Sequence, residues 1–169
     1  HAVMHLLYSR FFNKALRDLG FVEFDEPYAK LMNQGMLIKD HKKISKRSNP
    51  LNPDPIVEQH GADTLRCYLM FLGPWDQGGD WSDSGINGIK RWLGRVWDVA
   101  GRDFSGLGES GDAEAERSLE RVSHATTQRV ITDMEAFKFN TSIAALMEFT
   151  TALIHAHDAG KISVRSWRA

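Results

Sequence analysis

Lys39-Asp40-His41-Lys42-Lys43-Ile44-Ser45-Lys46-Arg47-Ser48-Asn49-Pro50-Leu51-Asn52-Pro53-Asp54 is the stretch from which the rest of this chain is best read. Five of its first nine residues are Lys or Arg, in a chain whose formal net charge is only −1. Met36-Leu37-Ile38 before it suits a short buried strand and Asp54-Pro55 after it suits a helix start, so the charge sits between two ordered elements. A helix, then a strand, then such a loop is the order met at the carboxyl edge of strands in α/β sheets, where ligands bind. By charge alone the loop is either a solvated connection or a clamp for a polyanion. As a clamp, Lys43 and Lys46 with Ser45 between them would offer two ammonium groups and a hydroxyl to a triphosphate. A grip that tightens as charge develops on a departing pyrophosphate is catalytic.

Composition bounds what such a loop can belong to. With 169 residues and 42% hydrophobic residues, the chain can form one domain or two small ones around a core. Near-neutral charge excludes a globally basic nucleic-acid coat, leaving local patches for any such contact. A single cysteine, no long apolar run and no secretory pattern lead to the expectation of a soluble cytoplasmic protein without membrane contact. The chain opens at His1 in mid-pattern without an initiator methionine, which reads as a piece of something longer.

Residues 2 to 19 predict an amphipathic helix, with Met4, Leu7, Tyr8, Phe11, Phe12, Ala15 and Leu19 at three- and four-residue steps and Gly20 as its stop. His1 and His5 lie one turn apart on it, as ordinary polar residues or as a pair facing one neighbour. Ala2 stands where an H-E-x-x-H site needs glutamate, and no metal site is expected. Residues 21 to 35 predict a turn and a short helix capped by Asp25, with Pro27 in its first turn and Gly35 at its end. After the basic loop, Asp54 is the expected cap of a helix begun by Pro55 and closed near Gly61. Another helix runs from about Asp63 to the Gly73-Pro74 break, with Cys67 inside it as a small core residue without a role. A loop over residues 75–84 leads to a helix from Gly85 to Ala100 with Ile86, Ile89, Trp92, Leu93, Val96 and Trp97 as its stripe. Lys90, Arg91 and Arg95 cluster on another side, as a solvated face or a phosphate-binding one.

Gly101, Gly106, Gly108 and Gly111 among Asp, Ser and Glu predict a flexible joint. Two long helical patterns follow, from about Asp112 to Met134 and from about Asn140, and the tail from Ile162 reads as the beginning of another helix. Two antiparallel helices cannot bury both faces of each other, so this half reads as an incomplete bundle whose apolar stripe self-association could cover. Two glycine patterns mislead. Gly106 to Gly111 matches G-x-G-x-x-G but follows a helix where a dinucleotide site needs a strand. Gly73 to Gly78 has P-loop spacing, yet Gly79 and Asp80 stand where lysine and Ser/Thr are required.

With these readings in place, Lys43-Ile44-Ser45-Lys46-Arg47 resembles the KMSKS signature loop of class I aminoacyl-tRNA synthetases. Gln34 to Ile38, Asn52-Pro53-Asp54 and Gly61 to Arg66 resemble its usual setting, and His1 to Phe12 is similar to the leucyl-tRNA synthetases among them. Asp83 to Gly88, Arg91-Trp92-Leu93, Arg95-Val96-Trp97 and Phe139 to Glu148 carry the resemblance along nearly the whole chain. Ile44 replaces the motif's methionine, Arg47 its last serine, and the stretch to Asn52 is one residue shorter and lacks glycine, which bears on loop mobility.

The resemblance implies a mainly α chain with a small α/β remnant. Residues 1–100 would be the C-terminal edge of a Rossmann-like catalytic domain with the signature loop and stem-contact region, 101–111 a linker, and 112–169 part of an antiparallel, anticodon-binding-type helical bundle. It implies a ligase that activates leucine with ATP, delivered with Mg2+ as the substrate complex, and transfers leucine to its tRNA. Lys46 and Lys43 would be catalytic, and Lys43, Ser45 and Lys46 would bind ATP phosphates. His5 and His1 would border the substrate pocket, and Lys90, Arg91 and Arg95 would be candidates for tRNA contact. The 169 residues hold no H-I-G-H motif and no first nucleotide-binding half, so the piece alone is expected to be inactive and to need the remainder of the enzyme. The other reading is a non-catalytic helical tRNA-binding module.

Overall fold

The structure, a computed structural model, describes residues 2–45, 50–103 and 107–168, and all of their side chains except those of Ala2 and Arg168. Two compact units divide it, His1–Gln34 and Gly35–Ala169.

In the first unit, helix α1 spans Ala2–Asp18, and Gly20 turns the chain at φ 77°. The expected short helix within 21–35 does not form; this segment has no regular secondary structure. Its polar groups are taken up by α1 instead. Asn13 Nδ2 donates to the Phe24 carbonyl at 2.8 Å, Arg10 grips the Glu26 carboxylate at 2.6 and 2.8 Å, and Arg17 pairs with Asp25. Asp25, the expected cap, therefore spends its carboxylate on a guanidinium. The apolar stripe of α1 is present but open: Met4, Leu7, Tyr8, Phe11 and Phe12 are all exposed, while Asn13 is buried.

The second unit begins with a small sheet. Strand β1 (Met36–Lys39) pairs antiparallel with β2 (Lys42–Lys43). Helix α2 (Pro53–His60) and helix α3 (Ala62–Phe71) follow, and β3 (Gly78–Asp80) then pairs parallel with β1, giving the order β2-β1-β3. The expected loop over 75–84 thus contains a strand. Gly-Gly-Asp has no side-chain pattern to announce one, and close approach is what the glycines serve. A Cβ on Gly35 would lie 2.0 Å from the Gly78 nitrogen, and one on Gly78 would lie 2.1 Å from the Met36 carbonyl oxygen. The cap of α2 is Asn52 rather than Asp54: its Oδ1 accepts the Asp54 N–H at 3.1 Å, and Pro53 and Pro55 occupy the first turn, where a missing N–H costs nothing.

Helix α4 (Gly85–Ala100), helix α5 (Ala113–Glu135), helix α6 (Phe139–Asp158) and the short α7 (Val164–Arg168) complete the chain. The α5–α6 connection is so short that the two helices run antiparallel, cross-linked by Arg129 to Glu148 and by Thr141 to Asp133. Helix α6 also packs on α3 and α4. The stripe of α4 departs from the expected one at its end, where Val99 is buried and Trp97 is exposed. Residues 107–112 are tied down rather than free: the Gly108 carbonyl accepts the Val164 N–H, the Lys161 carbonyl accepts the Asp112 N–H, and Glu116 accepts the Ser163 N–H. Hydrogen bonding from the Ser163 side chain, and then from its backbone N–H, holds the Glu116 carboxyl below its ordinary value.

The core of this unit gathers Leu65 and Tyr68 from α3, Trp81, and Ile86 and Ile89 from α4. Tyr68 and Trp81 meet edge to face at 5.0 Å, and the Tyr68 hydroxyl donates to the Ser82 carbonyl at 2.9 Å and accepts the Ser82 N–H at 3.0 Å. Cys67 packs against this core, and burial pushes its thiol above the ordinary value, away from thiolate reactivity.

Candidate functional site

The basic loop leaves the sheet through a tight hairpin. Asp40 and His41 both have positive φ, 54° and 61°, the backbone of a two-residue turn whose twist suits antiparallel strands. Lys39 pairs with Lys42 and Ile38 with Lys43, so successive residues alternate between the two faces of the hairpin. Lys43 is exposed at the end of β2, and Ser45 beyond it is half-buried. Between them, the Ile44 N–H donates to the Leu37 carbonyl at 3.2 Å, and the Ile44 side chain packs against the Leu65–Tyr68–Trp81 core. Leu51 and Ile56, after the loop, pack against that core too. Both ends of the segment around residue 46 are therefore fastened to one apolar cluster. The isoleucine in place of methionine keeps this anchor apolar. Lys46 itself, with residues 47–49, lies outside the described residues, as does His1.

The hairpin stem has a second attachment that sequence reasoning missed. Lys39 Nζ donates to Asp83 Oδ2 at 2.8 Å and Oδ1 at 3.1 Å, and Trp81 Nε1 donates to Asp83 Oδ1 at 2.7 Å. These donors hold the Asp83 carboxyl below its ordinary value, and the carboxylate in turn raises Lys39. Trp81 also donates its backbone N–H to the Ile38 carbonyl at 2.7 Å. Strand β1, which launches the loop, is thereby tied to the residues just before α4. A carboxylate two residues after a Trp at a strand-to-helix junction is the available sequence cue, but its lysine partner is 44 residues away.

His5 belongs to the first unit. Its Nε2 shares a hydrogen bond with the Tyr28 hydroxyl at 3.2 Å, and the two rings lie 6.0 Å apart. The three basic residues of α4 separate. Lys90 is turned away to the Gln59 carbonyl at 3.1 Å, a helix-to-helix tie with α2. Arg91 and Arg95 border a cleft of about 440 Å³ between Phe71 of α3, Gly88 and Trp92 of α4, and Thr151 of α6. Arg95 donates to the Thr151 hydroxyl at 3.0 Å, and below it Trp92 Nε1 donates to the buried Thr150 hydroxyl at 3.1 Å. Among the described residues, no three His, Cys, Asp or Glu side chains gather as a metal site would require, and no helix is long and apolar enough to cross a membrane.

No family model matches the chain. Individual proteins do. A leucine–tRNA ligase of Dehalococcoides mccartyi is 48% identical over 169 residues, covering 99% of this chain and 20% of the ligase. Those of Rubrobacter xylanophilus and Deinococcus radiodurans are 49% and 43% identical with the same coverage. Among solved structures, the LeuRS of Agrobacterium radiobacter K84, in a ternary complex with tRNA and LeuAMS, superimposes with a TM-score of 0.83 at 35% identity, over 99% of this chain and 24% of that one. A methionyl-tRNA synthetase of Mycobacterium tuberculosis bound by methionyl-adenylate shares the fold over 73% of this chain and 26% of that one, with a TM-score of 0.57 at 18% identity. The chain spans about one fifth of the length of the ligases it matches. By sequence along its full length and by fold, it is similar to that segment of the leucine–tRNA ligases.

Proposed function

We propose that these residues form the phosphate-gripping part of a leucine–tRNA ligase, together with the stem-contact region and the first helices of its tRNA-binding bundle. Residues 1–100, 101–111 and 112–169 take the three roles in turn: catalytic edge, linker and bundle. The reaction is attack of the leucine carboxylate on the α-phosphate of ATP, which enters with Mg2+ as substrate, giving leucyl-adenylate and pyrophosphate. The leucyl group then passes to the 3′ end of the leucine tRNA. Lys46 and Lys43 neutralise charge on the departing pyrophosphate, and Ser45 supplies a hydroxyl to the same phosphates. His5, oriented by Tyr28, and His1 border the leucyl-adenylate pocket. The enzyme works in the cytoplasm. Isolated, the 169-residue chain is inactive and associates with itself through apolar side chains of the incomplete bundle such as Ile131 and Met134, which are exposed.

The observation that carries this reading is identity of 43–49% along the whole chain to ligases of one specificity. The packing of Ile44 and Leu51 against one apolar core supports it, because a phosphate clamp needs fixed ends. The test is leucine-dependent exchange of pyrophosphate into ATP. A full-length ligase carrying these residues is expected to exchange with leucine and not with isoleucine or methionine, and the 169-residue chain is expected to show none. Exchange by the isolated chain, or a preference for another amino acid, contradicts the reading.

A further inference from the structure

The turn between α5 and α6 carries a residue type that its backbone disfavours. Helix α5 closes in the hydrogen-bond pattern of a glycine-ended helix: the Lys138 N–H donates to the Asp133 carbonyl at 2.7 Å and the Phe137 N–H to the Met134 carbonyl at 3.1 Å. At the left-handed position of that pattern stands Phe137, with φ 58°. Glycine takes this conformation without strain, whereas a Cβ there crowds the following carbonyl oxygen. Such strain persists only where the surroundings hold it, so the ring at 137 has a task that glycine could not perform.

The neighbours of that ring identify the task. Phe137 lies 5.5 Å from Phe139 and 6.5 Å from Trp75, and Trp75 meets Phe139 edge to face at 5.3 Å. Trp75 carries a penalty of its own, because its Nε1–H is buried without a hydrogen-bond partner among the described residues. A leucine there would bury no such donor. Two side chains that are locally unfavourable thus meet in one contact between distant parts of the chain.

The backbone of Trp75 leads from this contact to the root of the basic loop. Its carbonyl accepts the Gly35 N–H at 2.7 Å, and Gly35 directly precedes β1. The Pro74 carbonyl accepts the Gln77 and Gly78 N–H groups, closing the turn that enters β3, the parallel neighbour of β1. There is no slack at this corner, since a Cβ on Gly35 or Gly78 would overlap the facing backbone. A shift of Trp75 is therefore passed to the strand that leads to Lys43.

We infer that Phe137 and Trp75 are positioning residues, an aromatic joint through which the α5–α6 turn sets the start of β1 and with it the phosphate-gripping loop. This deepens the ligase reading and rests on it. The test uses a full-length ligase carrying these residues, first shown to exchange pyrophosphate with leucine; absence of that exchange sinks the ligase reading and the joint with it. Phe137→Gly removes the ring and the strain together, so its melting temperature should stay within about 2 °C of the parent's. Its kcat for exchange should nevertheless fall about tenfold, because a slackened strand misplaces the loop. The KM for leucine should move less than about twofold, since the leucine pocket is not touched. Phe137→Tyr, which keeps the ring, should retain kcat within about twofold. Trp75→Leu should repeat the fall seen in Phe137→Gly, and the double variant should fall no further than either single one, because both break one contact. The assignment is overturned by a folded Phe137→Gly with the parent's kcat, by a Phe137→Tyr as slow as Phe137→Gly, or by losses that multiply in the double variant. A Phe137→Gly melting temperature lowered well beyond that range also overturns it, showing a ring that serves stability alone.

Discussion

The two units hold themselves together by opposite means. In the first, α1 and the irregular segment after it are joined by polar links, exposed for Arg10–Glu26 and part-buried for Asn13–Phe24, and Phe11 is 75% exposed. In the second, the hairpin, α3 and α4 close on a buried cluster in which Ile89 is 1% exposed. The difference shows where the chain's own stability resides. Exposed ion pairs contribute roughly 0–1 kcal/mol each. Burying a side chain such as Ile contributes about 1.5–3 kcal/mol. The loop that carries the motif is rooted in the unit with the burial.

Core truncation separates the units most strongly. Ile89→Ala should destabilise by about 2–5 kcal/mol, read as a lowered urea midpoint. Phe11→Ala should stay within about 0.5 kcal/mol, since its ring is already in solvent. Comparable losses from the two substitutions would break the comparison. A middle-sized effect belongs to Asn13, 6% exposed and bonded to the Phe24 carbonyl. Asn13→Ala should cost about 1 kcal/mol and speed amide exchange over residues 21–28, with protection of α4 unchanged. Spread of the loss into α4 would show that the two units do not respond separately.

The smallest effect lies at the hairpin stem. Asp83 has a depressed folded-state pKa, so its stabilisation is present above the ordinary carboxylate range and is lost as pH falls through that depressed value. With its side chain 73% exposed, Asp83 is screened by solvent and its pair with Lys39 contributes little to stability. In Lys39→Ala the Asp83 titration, followed by NMR, should move up toward the usual value, held partly down by Trp81 Nε1. An unmoved titration would show that Lys39 does not hold this carboxylate in solution.

How much of this was legible in the residues follows from the kind of pattern each element has. Helices α1, α4, α5 and α6 repeat apolar residues over several turns, and the ranges of the first three and the start of α6 were read within a residue or two. Strand β2 is two lysines and β3 is Gly-Gly-Asp, too short and too bare for a period of two to show. The helix expected over 21–35 was argued from Asp25, Pro27 and Gly35, and the Asp25 carboxylate served equally as a partner for Arg17. For the site, the motif and its flanks were readable as a resemblance, as was the basic group on α4. That Lys90 leaves this group, that Asp83 ties the hairpin, and that Ile44 and Leu51 share one core are products of tertiary packing between distant positions.

The most direct test of the central claim is Lys46→Ala in a full-length ligase carrying these residues. Steady-state pyrophosphate exchange with leucine would be measured against ATP concentration. If the loop grips phosphates chiefly as charge develops on the departing pyrophosphate, kcat should fall about 100-fold or more, roughly 3 kcal/mol, with the KM for ATP changed by less than about threefold. A normal kcat with a raised KM would contradict this, placing Lys46 in ground-state binding rather than in the transition state.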